Sequence, residues 1–460
     1  MEKRSWLRDT VSVYLADYGM IVVLLGLCGY YSYATWNEQY PSGQRAARLL
    51  ADQLLNEESE EETVLIVART SQEDRDFSQT LTSLLEARVR HVDVVNGQPV
   101  DARRAIEGLV KRGESLDVIA VNHVTQAWAV LQNLDTKFPS LGTPRVVVPA
   151  SYHWPTFLKT DNLLNVANQI VVIAIIAIGM TLVIITGGID LSSGSLIALS
   201  AVVTMLLMRD YAGAQQATAT GMFLCSLAGV VVCALLGVFS GVMVTQFAIP
   251  PFIVTLGMMQ VARGLAFILA RGESINAAPP SFMWLGRGAD ILGIPNAVVL
   301  MLALYVLAHG VMTRTVLGRY IYAVGGNVEA ARLSGVPVKR ILLLVYTLCG
   351  ALAGLGGIVT ASLLNSGDPK YGETHELFVI AAVVVGGTSL AGGEGKVLGT
   401  LIGAFIIAVI QNGMNLTGVE SYTQRVVLGM VILGAVLIDT IKKRGNSLLP
   451  RQWFRRLHRG

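Results

Sequence analysis

Runs of about twenty apolar residues, the length an α-helix needs to cross the hydrocarbon core of a bilayer, recur ten times along this chain. They fall at 18–36, 166–187, 191–208, 221–247, 252–270, 295–313, 341–361, 377–390, 396–413 and 424–441. Backbone N–H and C=O groups in lipid must be satisfied internally, and a helix does so within one segment. The pattern therefore reads as a polytopic α-helical membrane protein of about ten transmembrane helices. Only 15% of the 460 residues are charged, against about 25% in ordinary soluble domains, and 47 glycines suit close helix approach. A net charge of +3 is too small to suggest a nucleic-acid partner. The runs at 191–208 and 377–390 are short and broken by glycine, so either reads as a partial or re-entrant helix.

The charges are segregated. Residues 37–160 hold 17 of the 32 acidic and 13 of the 35 basic side chains, which separates a water-exposed insert from the lipid-embedded remainder. Positive charge near span ends marks the cytoplasmic side. Lys3, Arg4 and Arg8, then Arg314, Arg319, Arg332, Lys339 and Arg340, then the basic tail 442–460 all fall on one side if there are ten spans. The same parity places the insert outside the cytoplasmic membrane, with both termini inside. The organisation expected is an N-terminus and first span at 1–36, an extracytoplasmic insert at 37–160, the membrane domain at 161–441 and a cytoplasmic tail. The first run is long for a signal peptide and lacks a small-residue cleavage site. Cys28, Cys225, Cys233 and Cys349 all lie in apolar runs and read as small core residues.

Within the insert, apolar β-branched runs alternate with helical stretches. Strands are expected at Thr63–Ala68, Val92–Val95, Val118–Val121 and Arg145–Pro149, and helices at 72–90, at 101–112 with Asp101 as its cap, and at 124–137. Such alternation implies a parallel α/β sheet. Residues 42–57 read as an amphipathic stalk prolonging the first span and ending in Glu57, Glu58, Glu60, Glu61 and Glu62, a solvated acidic face. The scattered His91, His123 and His153 suggest no metal site. The insert reads as a recognition or docking unit, with a small-molecule sensor as the other possibility.

Three membrane-domain motifs are specific. Ile185-Thr-Gly-Gly-Ile-Asp-Leu-Ser-Ser-Gly-Ser195 breaks the chain between the second and third runs, with Asp190 and Ser192 placed to cap the next helix. Gly386-Gly-Thr-Ser-Leu-Ala-Gly-Gly-Glu-Gly395 echoes it six spans later, as expected of a parallel internal repeat. It is no phosphate loop: GxxxxGK[ST] would need glycine at Leu390 and Ser or Thr at Val397. The third motif is the loop 317–340, where VEAARLS predicts a short amphipathic helix over 328–334 stopped by Gly335 and Pro337. Glu329, Ala330, Ala331 and Gly335 fit the EAA-x-x-x-G pattern of ABC-transporter membrane subunits.

Taken together, GMTLVIITGGIDLSSGS (179–195), LGRYIYAVGGNVEAARLSGV (317–336), VYTLCGALAGLGGIV (345–359), IAAVVVGGTSLAGGEGKVLGTLIGA (380–404) and NGMNLTGV (412–419) resemble the ribose/xylose/galactose class of bacterial ABC sugar permeases over about 160–443. The resemblance implies an inner-membrane permease for a monosaccharide or similar polyol that works as a dimer and carries no ATPase site of its own. A separate cytoplasmic ATPase would use the ATP, and a soluble sugar-binding protein would act outside. Position by position it assigns the ATPase contact to Gly325, Gly326, Asn327, Glu329, Ala330, Ala331, Arg332, Leu333, Ser334 and Gly335. Candidate substrate-path residues are the polar side chains at membrane depth, Asn168, Gln169, Gln260 and Asn412, with Asp190 and Ser192 at the first break.

The chain departs from the class twice. The insert replaces a short loop, and the eighth run opens Glu376-Leu377-Phe378 where the class commonly has Glu-Leu-Asp. Three rival readings are a membrane-anchored sensor acting through the insert, an ion-coupled carrier, and a branched-chain amino acid permease. The second is disfavoured by span interiors almost free of ionisable groups, and the GGIDLSSGS stretch favours sugar over the third.

Overall fold

A computed structural model describes residues 19–55 and 62–444. Lys3, Arg4, Arg8, Glu57, Glu58, Glu60, Glu61 and the tail beyond 444 lie outside the described residues. The chain divides into two units, Trp36–Thr156 and the helices that precede and follow it. The first described helix is α1 (Gly19–Ala34).

The Trp36–Thr156 unit contains β1 (Trp36–Gln39), α2 (Gly43–Leu55), β2 (Thr63–Ala68), α3 (Gln72–Leu85), β3 (His91–Asn96), α4 (Pro99–Arg112), β4 (Val118–Val121), α5 (Leu134–Lys137), β5 (Arg145–Val147) and β6 (Tyr152–Pro155). Four strands form a parallel sheet in the order β3-β2-β4-β5, with Val64 opposite both Val92 and Val118. The two central strands are buried along their whole length, which is why they read as unbroken apolar runs. Alternation of side chains sends Val64, Ile66 and Ala68 to one face and Leu65 and Val67 to the other. A second, antiparallel ribbon pairs β1 with β6, Trp36 opposite Pro155 and Gln39 opposite Tyr152.

Three expectations fail here. Residues 42–57 are no stalk: β1 intervenes after α1, and α2 buries Ala46, Ala47, Leu50, Ala51 and Leu54 in the core beside α3. An amphipathic stripe does not say what it will cover. Nor is 124–137 one helix. The Asn122 side chain accepts from the N–H groups of Val124 and Thr125 at 3.0 and 2.9 Å, and Asn133 is left-handed at φ 54°. Only 3₁₀ turns at Thr125–Ala127 and Ala129–Leu131 and the one-turn α5 form. Asp101 is not the cap of α4 but its third residue, closing back on the Gln98 N–H at 2.9 Å. Of the acidic cluster, Glu62 is described and pairs with Arg145 at 2.7 Å.

The other unit continues with α6 (Thr160–Ile185), α7 (Ser193–Asp210), α8 (Ala219–Gln246), α9 (Pro251–Ala270), α10 (Trp284–Arg287), α11 (Asn296–Arg314), α12 (Val316–Gly326), α13 (Val328–Leu333), α14 (Val338–Leu364), α15 (His375–Val385), α16 (Val397–Leu416) and α17 (Ser421–Arg444). Seven of the described helices (α6, α7, α8, α9, α11, α14 and α16) are long and apolar enough to cross a membrane. The helix α1, the apolar part of α17 and α15 are shorter. With 11 residues, α15 rises only about 16 Å, half a bilayer core, so the 377–390 run is a partial helix.

Helix α6 is buried almost throughout from Val166 to Ile185, and α14 lies against α8 through small residues, its Gly350 facing the Cys233 carbonyl. Polar links also join the helices: the Tyr305 hydroxyl donates to the Ala174 carbonyl at 2.9 Å, and Thr181 and Thr400 share a hydrogen bond of 2.8 Å. The outer faces carry exposed Phe223 and Leu235 on α8, Ile268 on α9, Val306 on α11 and Leu433 on α17. An apolar perimeter of this extent is not solvated by water; lipid is its natural solvent.

Candidate functional site

The expected docking helix forms as α13, and its ends are set by the residues the sequence marks. Asn327 is the N-cap, its Oδ1 accepting from the Ala330 N–H at 2.9 Å. At the other end Gly335 has φ 81° and donates to the Arg332 carbonyl, while the Val336 N–H reaches the Ala331 carbonyl, each at 3.0 Å. This is the Schellman stop that a left-handed residue permits. The helix presents Glu329, Ala330, Arg332, Leu333 and Ser334 to the exterior, with Leu333 88% exposed. Glu329 and Arg332 pair at 3.3 Å. Ala331 faces the other way and is buried. Adjacent helical residues do not share a face, so of the two alanines only Ala330 can be touched from outside.

Both glycine breaks carry the same stop. Gly187 (φ 81°) donates to the Ile184 carbonyl and Gly188 to that of Val183, at 2.9 and 3.0 Å. Gly387 (φ 83°) and Thr388 repeat the pattern onto Val384 and Val383 at 2.9 and 3.1 Å. The echo seen in sequence is thus an echo in backbone geometry. The breaks also meet: the Gly393 N–H donates to the Ile185 carbonyl at 2.8 Å. The C-terminal end of α12 closes the junction. The Tyr322 hydroxyl donates to the Gly395 carbonyl at 2.7 Å, and Gly325 packs so closely on the Ile185 carbonyl and the Gly393 nitrogen that a Cβ would overlap both. Three motifs, the first more than a hundred residues before the other two, form one knot, with Asn327 linking it to α13.

The substrate-path candidates are not gathered. Asp190 and Ser192 are buried and bonded to each other, the Asp190 Oδ1 accepting from the Ser192 N–H at 2.9 Å and its hydroxyl at 2.6 Å. That is a turn before the helix: Ser192 is the N-cap of α7, with helical φ and ψ and no side-chain cap bond. The expected Asp190–Ser192 cap is therefore replaced by a turn that spends the carboxylate on its own loop. Asn412 exchanges two hydrogen bonds with Asn162, at 2.9 and 3.1 Å. Asn168 is half-buried on α6; Gln169 and Gln260 are exposed. The sequence singles out Glu376 only as the opening of the eighth run and does not mark Arg263; both lie in the bundle, on α15 and α9. No group of three or more His, Cys, Asp or Glu able to hold a metal occurs among the described residues.

The family model described as branched-chain amino acid transport system / permease component matches residues 162–436. The chain is 44% identical over 293 residues to the ribose import permease protein of Escherichia coli strain K12, covering 63% of this chain and 88% of that one. It is 41% identical over 306 residues to the ribose import permease protein of Bacillus subtilis strain 168, covering 66% and 92%. To the D-allose transport system permease protein of Escherichia coli strain K12 it is 36% identical over 285 residues, covering 62% and 85%. No solved structure matches the chain.

Proposed function

The chain belongs to the branched-chain amino acid transport system / permease component family, and from that premise we propose that it is the membrane-spanning permease subunit of an ABC importer for a monosaccharide or similar polyol. The family description names amino acid transport; the ribose and D-allose relatives favour sugar. As a permease subunit it relies on a separate cytoplasmic ATPase subunit, which uses the ATP, and on a substrate-binding protein. A second permease copy completes the assembly in this reading. The protein sits in the bacterial inner membrane, termini inside, with residues 37–160 outside.

The observation that supports the coupling role is the knot at Gly325. Closure of the ATPase pulls on α13; α12 is joined to α13 through Asn327 alone and carries the displacement to Ile185 and Gly393 together. Both breaks then respond as one, and the helices on either side of them rock. Nucleotide shifts that equilibrium only as far as it binds the two states differently.

The test is Leu333→Glu with Ala330→Arg, in the permease assembled with its ATPase and binding protein in proteoliposomes. Coupling of about 1–3 kcal/mol should be lost, lowering uptake about tenfold or more while the chain still inserts. Normal uptake in both variants would remove α13 from the coupling path. Ala331 is the wrong target, since a large side chain there disrupts packing before it meets a partner.

A further inference from the structure

Two charged side chains inside the bundle take no part in the knot. Arg263 is the thirteenth residue of α9, about 18 Å along that helix and so well within a bilayer core of about 30 Å. Its Nη1 donates to the carbonyls of Pro369 and Tyr371, both at 2.8 Å, pinning the segment between α14 and α15. Glu376 is the second residue of α15. Its Oε2 is buried and has no hydrogen-bond partner among the described residues. That oxygen rests on Gly194 in the first turn of α7, where a Cβ would overlap it and the Gly372 carbonyl. Arg263 and Glu376 thus converge on one segment, the first holding its 369–371 end and the second opening the helix that follows, and they form no ion pair among the described residues.

A charge at membrane depth is retained at a cost, and by default marks a function. Transporter sites are commonly built where interrupted helices meet, their N-termini turned towards negatively charged groups. Here the first turns of α7 and α15 meet around a carboxylate oxygen without a partner among the described residues, and of the Arg263 guanidinium only Nη1 is hydrogen-bonded among them.

We propose that Glu376 and Arg263, with the first-turn amides of α7, form the intramembrane subsite for an uncharged, hydroxyl-rich solute. The carboxylate accepts hydroxyl hydrogens; the guanidinium and the amides donate to hydroxyl and ring oxygens. Cation and anion cancel, so a neutral solute passes without carrying net charge into lipid. This rests on the sugar-permease reading and supplies the contacts that reading lacks.

The experiment uses the permease reconstituted with its ATPase and binding protein, and labelled ribose, allose, arabinose and leucine. For whichever sugar moves, its monodeoxy analogues are compared in wild type and Glu376→Gln. A hydrogen bond to a charged group is worth about tenfold to a hundredfold. Glu376→Gln should lower uptake of the parent sugar by that factor, and one deoxy analogue should be carried equally by both proteins, because the lost partners are the same pair. Equal losses for every analogue in wild type and variant would overturn the subsite. If Glu376→Gln does not assemble, Arg263→Lys is read by the same criterion. Failure of the sugar reading looks different: wild type then carries leucine, or none of the sugars, and the subsite falls with it.

Discussion

Gly325 shows how much one missing methyl group can hold together. A Cβ on it would overlap the Ile185 carbonyl and the Gly393 nitrogen at once, so Gly325→Ala has to push apart two breaks and α12. Overpacking of this kind costs about 1–3 kcal/mol. We expect uptake to fall with insertion preserved and the melting temperature lowered, and an unchanged melting temperature would show the knot to be loose. Legibility differs sharply between neighbours here. The Gly335 stop was readable because local hydrogen bonding dictates it, whereas the Asn327 cap was not read from the sequence. That Ala331 turns inward was not, since one turn of helix carries too little pattern to orient it. The partners of Gly325 were invisible: nothing in the stretch 317–326 says that residues 185 and 393 will arrive.

At the scale of elements, strands β2 and β4 were legible as runs buried on both faces, and the stops of α6 and α15 as glycine pairs. The helix expected over 124–137 was not recoverable, because one side chain, Asn122, redirects the backbone. Its amide also donates to the Asp74 carboxylate, which in turn accepts from Arg69 at 2.6 Å and from the Ser71 hydroxyl at 2.7 Å. Asn122→Ala leaves that buried carboxylate one donor short, a loss of about 1–3 kcal/mol. Hydrogen exchange on the full chain should quicken in β2 and β4 and stay unchanged in α6; protection of both strands at wild-type level would contradict the argument.

For the molecule as a whole, the sidedness proposed above makes a direct prediction. Cys225, Cys233 and Cys349 are buried and Cys28 is half-buried, so single cysteines can be added and read against a quiet background. In intact cells Arg103→Cys should react with an impermeant maleimide, and Glu329→Cys only after the membrane is opened. The reverse pattern would invert the transporter and separate α13 from any cytoplasmic ATPase. Charge bias is the only ground the sequence offers for this arrangement, whereas the separation of the chain into two units rested on the density of polar residues between 37 and 160.

The β1–β6 ribbon sets Trp36 directly opposite Pro155, so the polypeptide leaves the Trp36–Thr156 unit beside the point where it came in, about 5 Å away. A module whose two chain ends lie side by side behaves like a bead on a clasp. It can be cut out and Thr35 rejoined to Phe157 through a few small residues without stretching either flanking helix, and a different bead could be fastened in its place.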